Sequence, residues 1–417
     1  MRACLIRAAA AAALVLVVSA CGETKPSPAG SAPPAGSGAA PSATGTAAPD
    51  AKPAERAAAP DRDRAAILAA YDRGLDYLLT QQKDGKWSFQ DEPAVHFTAL
   101  AVTSFFERPG GLREADRKVV DAAVDYLVAS LTPGGGVEGN YANYTTCVVI
   151  QALVASGRKD LRPQIDGAVS FVRKFQFLDE KDPSYGGIGY GSDQTRSDLS
   201  NTQYALASLR AAGVPPSDPA FQRAITYLSR VQNRKENETP GEPTQWESTD
   251  QKTGTKRTVV RSNDGGANYI PGDSKAGFDE RPDGVGVLRS YGSMTYALLR
   301  CYHLAGIDAK DGRVQAAVKW VSDHWTLDRN PGMPEEQRGE GLFYYYATIA
   351  KALPTAGLDK LAGPEGREID WRAELAKHLL AEQQADGSWV NPNPRWMESI
   401  PTLPTSFSLQ VLAACAK

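Results

Sequence analysis

Cysteine, histidine and long apolar runs are all scarce in this 417-residue chain, and each scarcity removes a class of protein from consideration. There are five cysteines, and only Cys147, Cys301 and Cys415 lie beyond the amino-terminal segment. These three are odd in number, lack short spacing and sit inside apolar helical stretches. They are therefore expected as free buried thiols, not as a disulfide framework or a metal site. Charge of one sign is also missing: 46 Lys and Arg against 49 Asp and Glu leave a net charge of −3, with no basic run. Nucleic acid is accordingly not an expected partner. No Ser-His-Asp or phosphate-loop pattern is present. His324 and His378 fall in helices whose periodicity suits packing or a rim position.

The amino terminus reads as a processing signal. Arg2 and Arg7 form a positive region and Ala8 to Val18 an apolar run too short to span a bilayer. Val18-Ser19-Ala20-Cys21 follows and resembles a bacterial lipobox. That resemblance implies a signal peptide over residues 1–20, cleavage before Cys21 and lipidation of Cys21. The expected location is the cell envelope, anchored to a membrane on the periplasmic side or extracellular face. Residues 21–60 are mostly Ala, Pro, Ser, Gly and Thr, which cannot bury enough surface to order a chain, so they read as a disordered linker.

From residue 61 the chain is a repeat. Gly74, Tyr77, Leu78, Gln82, Asp84, Gly85 and Trp87 recur in register as Ala376, Leu379, Leu380, Gln384, Asp386, Gly387 and Trp389. Worn copies begin at Ala123, Ala168, Ala224 and Ala317. The small residue, the large apolar pair and the Gln lie at helical spacing. Asp-Gly then breaks the helix, and the Trp is placed to cover its end with the indole N–H on a carbonyl. Glycine-rich turns follow, among them Gly186-Gly187-Ile188-Gly189-Tyr190 and Asp283-Gly284-Val285-Gly286. Second helices are expected near 96–106, 144–156, 201–212, 293–305, 345–356 and 405–416. Several are apolar on nearly every face, as a helix buried on both sides must be.

The Gln-x-x-Gly-x-Trp signature and the Gly-Gly-x-Gly-Tyr turn resemble repeats of the protein prenyltransferase β-subunit and squalene cyclase superfamily. The segments 290–297, 326–332 and 341–346 look like those of bacterial prenyltransferase-repeat proteins. The resemblance implies an all-α fold over residues 61–417: an α/α toroid, or α6/α6 barrel, of six helical hairpins with a loop insert at 233–289. It does not carry catalysis across. No Asp stands two places before Cys147, Cys301 or Cys415, so the zinc pair of the prenyltransferases is missing, and the Asp-x-Asp-Asp acid of the cyclases is missing too. No cofactor and no metal is expected.

In such a toroid the inner helices start at one mouth, where free N–H groups would favour an anionic or polar ligand head. Candidate pocket residues there are His96, Asn143, Tyr144, Tyr190, Asp193, Asn201, Arg289, Tyr291, Tyr344 and Tyr345. Asp198 and Asp283 are the candidates for acid chemistry, because each precedes an inner helix. The 233–289 insert, placed between an outer helix and its inner partner, reads equally as a lid over that mouth or as a solvated loop. Three functions fit: binding or processing of an isoprenoid-like or other apolar ligand, carbohydrate processing in the envelope, or a catalytically silent protein-binding scaffold.

Overall fold

A computed structural model describes residues 61–191, 196–238, 243–249 and 255–417. The signal peptide, the lipidated Cys21 and the linker lie outside the described residues, as does Asp193. Twelve α-helices alternate along the described chain. The outer helices are α1 (Asp61–Thr80), α3 (Arg117–Ala129), α5 (Arg162–Arg173), α7 (Pro219–Val231), α9 (Gly312–Asp323) and α11 (Trp371–Glu382). Between them run the inner helices α2 (Val95–Phe106), α4 (Ala142–Ala155), α6 (Leu199–Ala211), α8 (Gly292–Leu304), α10 (Leu342–Thr355) and α12 (Thr402–Cys415). Each inner helix packs on the next one in chain order, and α12 packs back on α2. The inner ring therefore closes, and the expected toroid of six hairpins is the architecture found.

The repeat signature works as its chemistry predicts. The indoles of Trp87 and Trp389 each donate to a carbonyl near the end of the preceding outer helix, Leu78 and Leu379, both at 2.8 Å. The conserved spacing of the small residue has a steric cause. At Gly186 the backbone has φ +81°, and a Cβ there would lie 2.0 Å from the Arg223 carbonyl, beside Ala224 of the next outer helix. Gly387 repeats this with φ +90° against the Arg73 carbonyl, beside Gly74, so the last turn packs on the first outer helix. Only glycine combines that dihedral with that approach.

Glutamines tie neighbouring repeats together. Gln176 Nε2 donates to Gly186 O in its own turn and to Ala220 O on the next outer helix, at 2.9 and 2.8 Å. Gln232 does the same with Gly265 O and Arg313 O. In the last repeat this position belongs to Gln383, which donates to Gly387 O and Ala70 O, and not to Gln384, which the repeat alignment selects. Gln384 is exposed, and its side chain donates only to Glu382 O. The bonded Gln thus stands one residue before the aligned position.

The fourth repeat holds a second correction. Its turn is Gly265-Gly266, against Ala316, and Asp283-Gly284-Val285-Gly286 belongs to the insert, between strands β1 (Phe278–Glu280) and β2 (Gly286–Leu288). These strands are antiparallel, and Val259 to Arg261 pairs parallel with β2, so the insert carries a small sheet of its own. It packs instead of waving in solvent: Val259, Ala267, Tyr269, Ala276 and Leu288 are buried. A reciprocal amide pair between Asn233 and Asn268, both bonds 2.9 Å, pins it to the end of α7.

The ring closure gives a direct test. Replacing Gln383 by Ala removes the tie between the last and first repeats and should cost about 2 kcal/mol, whereas Gln384→Ala should change stability by less than about 0.5 kcal/mol. Urea unfolding of the two variants distinguishes the two registers.

Candidate functional site

The mouth formed by the inner-helix amino termini is chemically closed by the protein itself. Asp198 is fully buried and caps α6: its carboxylate accepts from Asn201 N and from Asn201 Nδ2, both at 2.8 Å. Burial raises its pKa, against the opposing pull of those hydrogen bonds. Asn143 extends the network by donating to Asn201 Oδ1 at 3.2 Å, and accepts from the Cys147 thiol. On α8, Asn330 Oδ1 accepts from Ser293 N. On α10, the buried Glu398 accepts from the backbone N–H groups of Phe343 and Tyr344 and from Asn391, and burial pushes its pKa up to about 7. The expected convergence of free N–H groups at this mouth is thus not found on α6, α8 or α10, because side chains have taken the place of a ligand.

The insert packs against this end through Tyr269. Tyr269 accepts from Leu199 N through its carbonyl, and its hydroxyl meets that of Tyr190 at 2.8 Å and faces the Asp198 carboxylate. Tyr291, the residue before α8, is also buried.

Below this cap the inner helices turn aromatic side chains toward one another. His96 packs at 6.1 Å from Tyr144, Tyr144 at 4.9 Å from Tyr204, Tyr204 at 6.5 Å from Tyr344, and Tyr344 at 6.4 Å from Phe407. These rings come from α2, α4, α6, α10 and α12. The Tyr344 hydroxyl also meets Ser200 and Gln203 of α6 at 2.9 and 3.0 Å. Since α8 stands between α6 and α10 in the ring, this contact spans the lumen. Burial lowers the His96 pKa to about 4, so its imidazole is neutral at pH 7.

Deeper in the lumen the chemistry changes. Gln151 lies seven residues beyond Tyr144 and Lys351 seven beyond Tyr344, which places each below its aromatic neighbour on the same helix face. Lys351 Nζ stands 6.0 Å over the Tyr204 ring. Arg300 of α8 and Glu107, at the end of α2, belong to the same group, each within electrostatic reach of Lys351. Sequence reasoning missed Tyr204, Phe407, Gln151, Arg300, Lys351 and Glu107. A signal existed for three of them: Gln151, Arg300 and Lys351 are isolated polar residues inside otherwise apolar inner helices.

Several expected site residues lie elsewhere. Asp283 does not face a cavity: it is exposed in the insert's hairpin turn, paired with Arg281 at 2.7 Å. The two candidate acids therefore form no facing pair, one being a buried cap and the other a surface turn residue. Tyr345 points away from the lumen, its hydroxyl donating to Thr326 O and its ring against Tyr296. Arg289 pairs with Asp279 and lines an open polar groove of about 430 Å3, together with Asp264, Trp320, His324 and Glu335. That groove is formed by the insert and outer-helix loops, outside the inner ring. Among the described residues no group of three His, Cys, Asp or Glu is placed to hold a metal ion.

Replacing Asp198 by Ala tests its assignment as a cap. The loss of two charge-assisted bonds should destabilise the fold by about 2 to 3 kcal/mol. A general acid held away from structural duty would leave the unfolding transition in urea unchanged.

Comparison with known proteins concerns this same architecture. Residues 89–249 match the squalene-hopene cyclase C-terminal domain. No curated protein matches the sequence. Among solved structures, the type II terpene cyclase MstE from Scytonema, without ligand, aligns with a TM-score of 0.52 at 14% identity, covering 85% of this chain and 98% of that one. A substituted form of it in complex with geranylgeranyl dihydroxybenzoate gives 0.50 at 13% identity, covering 85% and 99%. A protein from Actinoplanes is 16% identical with a TM-score of 0.49, covering 84% and 100%. The fold is prenyltransferase/squalene cyclase-like.

Proposed function

We propose that this chain, a prenyltransferase/squalene cyclase-like toroid, is an exported lipoprotein anchored through Cys21 that binds an isoprenoid-like or other apolar ligand in its lumen. The observation that carries the reading is the aromatic wall of His96, Tyr144, Tyr204, Tyr344 and Phe407, contributed by five of the six inner helices. Such a wall offers large apolar faces at little entropic cost and orders a hydrocarbon chain by contact area. The ligand class is suggested by the fold: the Scytonema cyclase is described in complex with a geranylgeranyl compound. The anchor follows from the lipobox resemblance at residues 18–21. It suits a domain in which no described helix is long and apolar enough to cross a membrane.

Catalysis is not part of the proposal. The buried, fully engaged Asp198 and the exposed Asp283 leave the paired-carboxylate route of carbohydrate hydrolysis without a geometric basis.

Two measurements test the reading. Native mass spectrometry of residues 61–417, with solvent extraction of what they carry, should yield a long-chain apolar compound at about one per chain. Exchange of Tyr204 for Ala should lower that occupancy severalfold. A clean apo mass that stays unchanged on incubation with prenyl alcohols would refute the pocket. Metabolic labelling with palmitate should mark the full chain and fail to mark Cys21→Ala.

A further inference from the structure

The lower lumen holds charges that the fold does not use. The side chains of Arg300 and Lys351 make no hydrogen bond or ion pair among the described residues, and Glu107 makes none through its carboxylate. Arg300 Nε and Gln151 Nε2 are buried with no partner at all. Elsewhere in this protein cations near the surface are paired closely, as Arg173 is with Asp218 at 2.7 Å and Arg108 with Asp72 at 2.7 Å. Arg300 and Lys351 are each half-buried, and two neighbouring cations held together without a bonded acceptor repel one another, an arrangement that folding alone does not explain. Arg300 and Lys351 come from α8 and α10 and lie within electrostatic reach of one another, while Gln151 of α4 stands at a similar depth, two turns below Tyr144. The aromatic wall begins about two helical turns above, with the Tyr204 ring facing Lys351 Nζ.

We infer that this floor is a phosphate-binding site, in which Arg300, Lys351 and Gln151 hold the phosphoryl head of an amphiphile whose apolar chain lies against Tyr144, Tyr204 and Tyr344. The inference rests on the proposal that the lumen is the binding site, and adds the chemistry of the ligand's head. Donors arriving from three helices suit a tetrahedral oxyanion, whose oxygens diverge, better than a planar carboxylate. The polar head is thereby placed at the carboxyl-terminal end of the inner helices, opposite the mouth that Asp198, Asn330 and Glu398 have capped. Glu107, exposed where α2 ends, faces the same cations and opposes the anion.

The site has a pH dependence of defined sign. Burial, then the nearby Arg300 charge, lowers the Lys351 pKa to about 8, while Glu107 opposes the shift. The groups that face it are Arg300 from α8, Glu107 from α2 and Tyr204 from α6. The protonated amine binds phosphate, so affinity is greatest between the phosphate's own pKa of about 6 and pH 8. It falls by up to about tenfold per unit above pH 8.

Isothermal titration of the full chain in neutral detergent, with micelle blanks, tests this with inorganic phosphate, decyl phosphate and decanol. Decyl phosphate should bind at least tenfold tighter than decanol. Arg300→Gln and Lys351→Met should each abolish that advantage and leave decanol binding unchanged, and Glu107→Gln should strengthen decyl phosphate binding. Lys351→Arg should keep the affinity and flatten its fall between pH 7 and 9, which separates lost charge from lost folding. Equal binding of decyl phosphate and decanol, indifferent to these variants, would overturn the phosphate site and leave the apolar pocket standing. Binding of inorganic phosphate alone, lost in Arg300→Gln, would support the anion site while sinking the apolar pocket. No binding of any of the three would overturn both.

Discussion

A side-chain amide that donates to two carbonyls at once holds the toroid together. Gln176, Gln232 and Gln383 each join the turn of their own repeat to the backbone of the next outer helix. Helix packing alone would leave the angle between hairpins adjustable. A two-pronged bond fixes it, because both carbonyls must be met in favourable geometry. The turn glycines sit beside these bonds and let the backbones touch. When the sixth repeat makes the same connection to Ala70, a linear array becomes a ring.

Closure determines what the inner helices can do. Their apolar sides are buried against neighbours and against the outer ring, and only one narrow face of each meets the lumen. At the amino-terminal ends that face is occupied by carboxylates and amides of the protein, so the positive helix ends are neutralised from within. The same composition at the other end has a different consequence. Arg300 and Lys351 have no such internal partners, and the ring holds them together in a space that Tyr204 and Tyr344 separate from the cap. The polarity of the lumen is thus the reverse of what helix dipoles alone suggest.

The outer helices, the Trp caps and the inner-helix spans were legible because each depends on local spacing. The site was less so. Asp198 and Asp283 look alike in sequence, since each precedes an inner helix, and only the folded insert separates a buried cap from a surface turn. Gln383 and Gln384 are adjacent and identical in type, and only the folded turn decides which reaches Ala70 O. Tyr344 and Tyr345 are likewise neighbours, yet about 100° apart around α10. One crosses the lumen to α6 and the other hydrogen-bonds outward to Thr326.

What the sequence by itself determined was the repeat, and with it the fold class, since helical periodicity, a breaking turn and a covering Trp are all properties of contiguous residues. Which charges meet was decided only by the tertiary structure. Glu107, Arg300 and Lys351 are separated by 193 and 51 residues and come from the residue after α2, from α8 and from α10. No spacing rule relates them, because their proximity comes from closing the ring, and ring closure is a property of all six repeats together.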